Sequence, residues 1–105
     1  MTTFSDDKIQ KLKKDLAQKN LKLTEVFKAL SEPNRCKIFW IFATEDFVSV
    51  SNTAKVLGIS LPLASLHLKT LLQNGLLNKE KRGQRVFYEL NTTKPLVKSL
   101  LKILK

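Results

Sequence analysis

Two sets of side chains in this 105-residue chain have types and spacings that could do chemistry. The first is basic and polar: Lys55, Ser60, Ser65, Lys69, Gln73, Arg82, Gln84 and Arg85. Cations and neutral donors in that mixture suit phosphate oxygens and the hydrogen-bonding edges of bases. The second set is His67 and Cys36, each the single residue of its type. One thiol excludes an intramolecular disulfide, and one thiol with one imidazole supplies too few soft ligands for a Cys/His zinc site. Neither has a nucleophile or base at motif spacing. The three glycines sit between elements rather than in a phosphate-cradling loop, so no enzyme, metal or cofactor is expected.

Charge supports the first set. The chain carries 19 basic and 9 acidic residues, a formal net charge of +10, and is 43% hydrophobic, so it should fold and favour a polyanion. Residues 1–50 hold nine bases against seven acids, whereas residues 51–105 hold ten against Glu80 and Glu89 alone. Double-stranded nucleic acid is the first partner to test, with a lysine-rich solubilising surface as the plain alternative. No run approaches the roughly 18 apolar residues of a membrane span, and nothing reads as a signal peptide. A single cytoplasmic domain over residues 1–105, with no membrane partner, is the expectation.

The elements that must position these groups follow from hydrophobic period and breakers. Asp6 to about Lys19 carries Ile9, Leu12 and Leu16 on one side, a thin amphipathic helix. Leu23, Val26, Phe27 and Leu30 make a second, stopped at Glu32 because Pro33 disfavours helical geometry before it. Pro33 opens a third, whose Ile38, Phe39, Trp40, Ile41 and Phe42 mark it as the central core helix. Phe47 to Val50 fits a short strand or an extended lead into the next helix.

Ser51 can cap a helix through Leu57, and Gly58 then supplies a tight turn. Ser60 can cap the next, with Pro62 in its first turn and Gly75 after its end. Residues 51–74 thus form a helix-turn-helix, with Ala54 small at the crossing and Ala64, Leu68 and Leu71 buried. Residues 76–90 read as two strands around Lys81-Arg82-Gly83-Gln84-Arg85, which makes the hairpin a wing with two of the chain's three arginines at its tip. Pro95 opens a last helix striped by Leu96, Val97, Leu100, Leu101 and Leu104, with Lys98, Lys102 and Lys105 facing away. The fold class is mainly α, a winged helix-turn-helix of five to six helices plus a small β-hairpin.

Three stretches carry a family resemblance. Leu30-Ser31-Glu32-Pro33-Asn34-Arg35-Cys36-Lys37-Ile38 resembles the "ALADPTRLRIL" stretch of the arsenic-repressor (ArsR) family. Leu57-Gly58-Ile59-Ser60 through Ser65-Leu66-His67-Leu68-Lys69 to Asn74-Gly75-Leu76-Leu77 is similar to its "LGLSxxxxSxHLKxLxxAGLV". Arg82-Gly83-Gln84-Arg85-Val86-Phe87-Tyr88 resembles its "REGRxVYY" wing. The resemblance implies a bacterial homodimer that represses transcription at an inverted repeat, with its first and last helices as the dimer interface. Ile9, Leu12 and Leu16 (helix 6–19) with Leu96, Val97, Leu100, Leu101 and Leu104 (helix 95–105) would form it. The one-sided, terminal stripes independently suit that role.

Departures from the family matter as much. Its Cys-x-Cys-Asp metal site falls here on Ser49, Val50, Ser51 and Asn52, which cannot replace two thiolates and a carboxylate for a soft metal. Its second site, on the last helix, has no counterpart because no acid or histidine side chain follows Glu89. Any effector is therefore unknown. Cys36 falls where the family has an aliphatic residue, and a small buried side chain is expected there. His67 has two open readings, a polar contact near a phosphate backbone and a hydrogen-bonded structural histidine.

With Ala64, Leu68 and Leu71 inward, the recognition helix turns Pro62, Leu66, Lys69, Thr70 and Gln73 outward, flanked by Leu63 and Ser65. Leucines can touch thymine methyls but cannot make bidentate hydrogen bonds to a base. The expected DNA contacts are Lys55, Ser60, Leu63, Ser65, Leu66, His67, Lys69, Gln73, Arg82, Gln84 and Arg85. Of these, Lys55, Ser60, Lys69, Arg82 and Arg85 are assigned to phosphates, and Ser65 and Gln73 to bases. A protein-interaction module on the same scaffold and a nonspecific architectural DNA binder are the competing readings.

Overall fold

The computed structural model describes residues 3–19 and 23–104. The elements run α1 (Asp6–Gln18), α2 (Leu23–Ser31), α3 (Pro33–Thr44), β1 (Val48–Ser49), α4 (Val50–Leu57), α5 (Leu61–Gln73), β2 (Leu77–Arg82), β3 (Arg85–Leu90) and α6 (Pro95–Leu104). This is the expected winged helix-turn-helix, with six helices among the described residues. Lys105, assigned above to the outer side of the last helix, lies outside them.

Four helices begin at a side chain that accepts an amide proton its first turn leaves free. Ser5 Oγ accepts from Lys8 N at 3.2 Å, Glu32 Oε2 from Arg35 N at 2.9 Å, Ser49 Oγ from Asn52 N at 3.1 Å and Ser60 Oγ from Leu63 N at 3.3 Å. The cap of α4 was expected at Ser51 and lies two residues earlier. Val48 and Ser49 pair with Tyr88 and Phe87, so Ser49 is the last extended residue before the helix. The short strand and the extended lead into α4 are thus the same residues, and the wing gains a third strand.

That sheet is antiparallel in the order β1-β3-β2, with Leu77 opposite Leu90, Lys79 opposite Tyr88 and Arg82 opposite Arg85. Val48, Leu77, Tyr88 and Leu90 turn to the core, where they meet Ile38, Phe39, Ile41 and Phe42 of α3, Leu68 and Leu71 of α5, and Val97 of α6. Gly83 takes φ +62° at the first position of the two-residue hairpin turn, a conformation that costs an L-residue strain.

Helix α3 is central, as expected, but only on one side. Trp40 is 53% exposed, and Cys36 is exposed rather than buried. Positions 36 and 40, one turn apart, occupy the face opposite Ile38, Ile41 and Phe42. Cys36 sits at a small apolar cavity with Leu30, Phe39, Leu100, Ile103 and Leu104. Val97, assigned above to a dimer interface, is fully buried within this one chain and is not available to a partner. Ile103, which that assignment omitted, is 77% exposed.

Helix α1 buries none of its residues. The radius of gyration is 18.1 Å, against about 13 Å for a compact chain of this length, and the long axis measures 60 Å. No single helix among the described residues is long and apolar enough to cross a membrane.

Helices α4 and α5 bend by 112° across residues 58–60, within the usual helix-turn-helix range. The turn depends on Gly58, which holds φ +66° and whose amide reaches the carbonyls of Ala54 and Lys55. A Cβ at Gly58 would meet nothing within 4 Å, so the penalty for substitution is backbone strain alone. Gly58→Ala is expected to lower stability by about 1 kcal/mol, read as a lower urea midpoint with unchanged slope.

Candidate nucleic-acid interface

The two sides of α5 differ sharply. Ala64, Leu68 and Leu71 are fully buried, as the helical period requires, and His67 on the same side is 6% exposed. The buried, hydrogen-bonded imidazole matches the structural one of the two readings of His67. Its Nδ1 lies 3.3 Å from Arg35 Nη1 and its Nε2 3.7 Å from Glu32 Oε2. A guanidinium only donates, so Nδ1 is the acceptor in that hydrogen bond, and Nε2 faces the carboxylate. Arg35 Nε also donates to Ala29 O at 2.6 Å. One polar cluster therefore joins the end of α2, the start of α3 and the middle of α5.

Glu32 was read in the sequence as the stop of a helix and Arg35 only as part of the family-like stretch, yet both hold the recognition helix from behind. Partial burial acts to raise the Glu32 carboxyl. The amides of Arg35 and Asn34, together with nearby His67 and the Arg35 guanidinium, outweigh burial and hold it below its ordinary value. At the far end, Lys94 Nζ donates to Asn74 O at 3.1 Å, a cation at the helix C-terminus, and Asn91 Nδ2 donates to Gly75 O at 3.1 Å.

Outward, the first two turns of α5 present Leu61, Leu63, Ser65 and Leu66, with Lys69 following, all exposed. Leu61 also borders a cleft of about 490 Å³ with Ser51, Asn52, Lys55 and Arg85, so the start of α5, helix α4 and the wing converge there. Neither Ser51 nor Asn52 was singled out in the sequence as a contact, because pairing of β1 with β3 is what brings α4 against the wing. Ser60 is exposed; its oxygen caps α5, which leaves the hydroxyl proton free to donate.

Two further assignments change. Gln73 stands in the last turn of α5, about 18 Å along the axis from Leu61, beside Glu25, Lys28 and Asn74 of a separate polar cavity. It is remote from the wing side of the helix and ill-placed as a base reader. Arg82 is turned back on the sheet: its Nε donates to Glu80 Oε1 at 3.2 Å, and its guanidinium lies 3.9 Å from the centre of the Phe47 ring. These contacts relieve its position directly opposite Arg85. Gln84 and Arg85 remain exposed at the tip.

A family model described as a helix-turn-helix domain matches residues 30–80. The cadmium resistance transcriptional regulatory protein CadC homolog of Staphylococcus aureus is 36% identical over 92 residues, 87% of this chain and 76% of that protein. The chain belongs to the ArsR family of winged-helix transcriptional regulators. The transcriptional repressor SdpR of Bacillus subtilis is 37% identical over 71 residues, 68% of this chain and 78% of SdpR. The homodimeric winged helix-turn-helix DNA-binding domain of Mycobacterium bovis Mb0332, a possible ArsR-family regulator, superposes with a TM-score of 0.68 at 26% identity, covering 99% of this chain and 86% of that one.

Relatives named for cadmium and arsenic resistance raise the question of a metal in this ArsR-family chain. The residues at the family's thiolate site do not fit one. Ser49 Oγ is committed to capping α4, its carbonyl accepts from Thr53 Oγ1, and Ser51 and Asn52 are neutral and exposed. Among the described residues no three of His, Cys, Asp and Glu stand close enough together to hold a metal ion.

Because the folded Glu32 carboxyl titrates below the unfolded one, its stabilisation is complete above the ordinary value of 4.5 and is lost as pH falls through the lower folded value. Glu32→Ala is expected to cost about 1 kcal/mol at pH 7 through the lost cap. In urea titrations from pH 7 to 3 the gap between the variant and the parent should close.

Proposed function

We propose that this ArsR-family protein is a cytoplasmic homodimeric repressor that binds an inverted repeat in duplex DNA. The N-terminal half of α5 enters the major groove, and the wing lies on the backbone or in the minor groove. The observation that carries this reading is the convergence of Lys55, Leu61 and Arg85 on one cleft at the start of α5, with Ser60, Ser65 and Lys69 exposed along the same helix. Lys55, Ser60, Lys69, Gln84 and Arg85 contact phosphates, Arg82 assists if it leaves Glu80, and Ser65 faces a base edge.

Dimerisation rests on α1 and α6. A helix of 13 residues with no packed side is marginal in water, and Ile9, Leu12 and Leu16 are all exposed. Leu96, Leu100, Leu101 and Leu104 pack partly on the core and leave an edge that Ile103 extends. A second copy supplies the cover for both, and the similar Mycobacterium bovis domain is homodimeric.

With Lys55, Lys69, Arg85 and an Arg82 released from Glu80 neutralising about four phosphates per subunit, the plot of log affinity against log salt should have a slope of about −7 for a dimer. Lys69→Ala or Arg85→Ala should each reduce its magnitude by about 2, since each change occurs twice per dimer. A parent slope shallower than about −2 contradicts the reading. Leu12→Glu should sediment as a monomer and lose at least tenfold in affinity for a two-half-site duplex; an unchanged dimer would remove α1 from the interface.

A further inference from the structure

Burial of His67 and the remote position of Gln73 leave the wing-side half of α5 with few groups able to hydrogen-bond a base. Its outward centre is Pro62 and Leu66, with Leu63 on one flank and Ser65 on the other. Leu66 is 58% exposed and Leu63 is 38% exposed. Thr70, the next hydroxyl along the helix, is turned back to donate to Leu66 O at 3.1 Å. Ser65 alone cannot tell the four base pairs apart, because a hydroxyl pairs with donors and acceptors alike.

The charge around this apolar strip says what covers it. Lys55 and Arg85 border a cleft with Leu61 at the start of the same helix, Lys69 follows Leu66 by three residues, all three cations are exposed, and no acidic residue lies on α4 or α5. An apolar strip flanked by free cations matches the major groove of a duplex, where phosphates line both walls and the one apolar group on the floor is the C5 methyl of thymine.

We propose that Leu63 and Leu66 are specificity-determining residues that read thymine methyl groups, so that each half-site is defined by one or more thymines facing α5 rather than by a guanine contact. This deepens the DNA-binding reading and rests on it. The apolar side chains, which cannot discriminate guanine or adenine by hydrogen bonds, gain a selective contact because thymine alone offers a methyl group in the groove. Lys55, Lys69 and Arg85 supply sequence-independent affinity around that contact.

Deoxyuridine tests this directly, since it pairs as thymidine does and lacks only the methyl. A site would be selected from a random duplex pool with the full-length protein, and each thymine of one half-site replaced in turn by deoxyuridine. Affinities would be measured by fluorescence anisotropy at a single fixed salt concentration. One or two positions per half-site should weaken binding about three- to fivefold each, the equivalent of one buried methyl. In Leu66→Ala, whose exposed position leaves the fold intact by circular dichroism, discrimination at one of those positions should vanish.

Equal affinity for thymine and uracil at every position overturns the proposal while leaving DNA binding standing, as does full discrimination retained in both Leu63→Ala and Leu66→Ala. Failure to bind any duplex, with capture of a protein partner by the same strip, overturns the DNA-binding reading and this one together.

Discussion

The setting of α5 about its own axis is the constraint on which the rest depends. Ala64, Leu68 and Leu71 are fully buried, and His67 is closed in by Arg35 and Glu32. Rolling the helix by one residue position would bring Lys69 or Leu63 inward and lift Leu68 toward water, at a cost of roughly 3–6 kcal/mol for two large side chains. That is a sizeable part of a small domain's total stability, so the outward face is fixed as firmly as the inward one. A surface meant to meet a regular groove benefits from that rigidity, because no ordering of the helix is left to be done on binding. Polar contacts hold the same helix along its length: the Ser60 cap at one end, the Arg35–His67–Glu32 cluster in the middle, Lys94 and Asn91 at the other end.

From that setting the charges and the apolar groups acquire separate roles. Of the ten basic residues after position 50, six lie on α4, α5 and the wing and four at or beyond Lys94. Such groups bind phosphate without regard to sequence. The wing contributes less than its two arginines suggest, since Arg82 is occupied by Glu80 and Phe47 while Arg85 reaches the cleft. Helix α1 stands apart from both sets, with its leucines and isoleucine exposed and its lysines around them.

Much of this was legible in the residues because it rests on local rules. Proline after Glu32, glycine at 58 and 83, serine at 60 and the spacing of Ala64, Leu68 and Leu71 fix element boundaries and an inner face through backbone and period alone. What was not legible depends on contacts distant in sequence. The N-cap of α4 moved to Ser49 because β1 pairs with β3, some forty residues on. The hydrogen-bond partner of His67, Arg35, is 32 residues away in the chain. The role of Arg82 hinged on Phe47, reached across the sheet. Val97 and Leu96 share one helical stripe, yet Val97 belongs wholly to the core, a distinction that periodicity does not make.

The most direct test of this account is a methyl and amide NMR titration of the full-length protein with a selected duplex. The account predicts that the largest shifts fall on the methyls of Leu61, Leu63 and Leu66 and the amides of Ser60, Ser65, Lys69 and Arg85. The methyls of Leu68, Leu71 and Val97 should stay nearly still, as buried groups of a helix that does not roll. Shifts concentrated instead on Trp40, Cys36 and α6, with the N-terminal half of α5 unmoved, would contradict it.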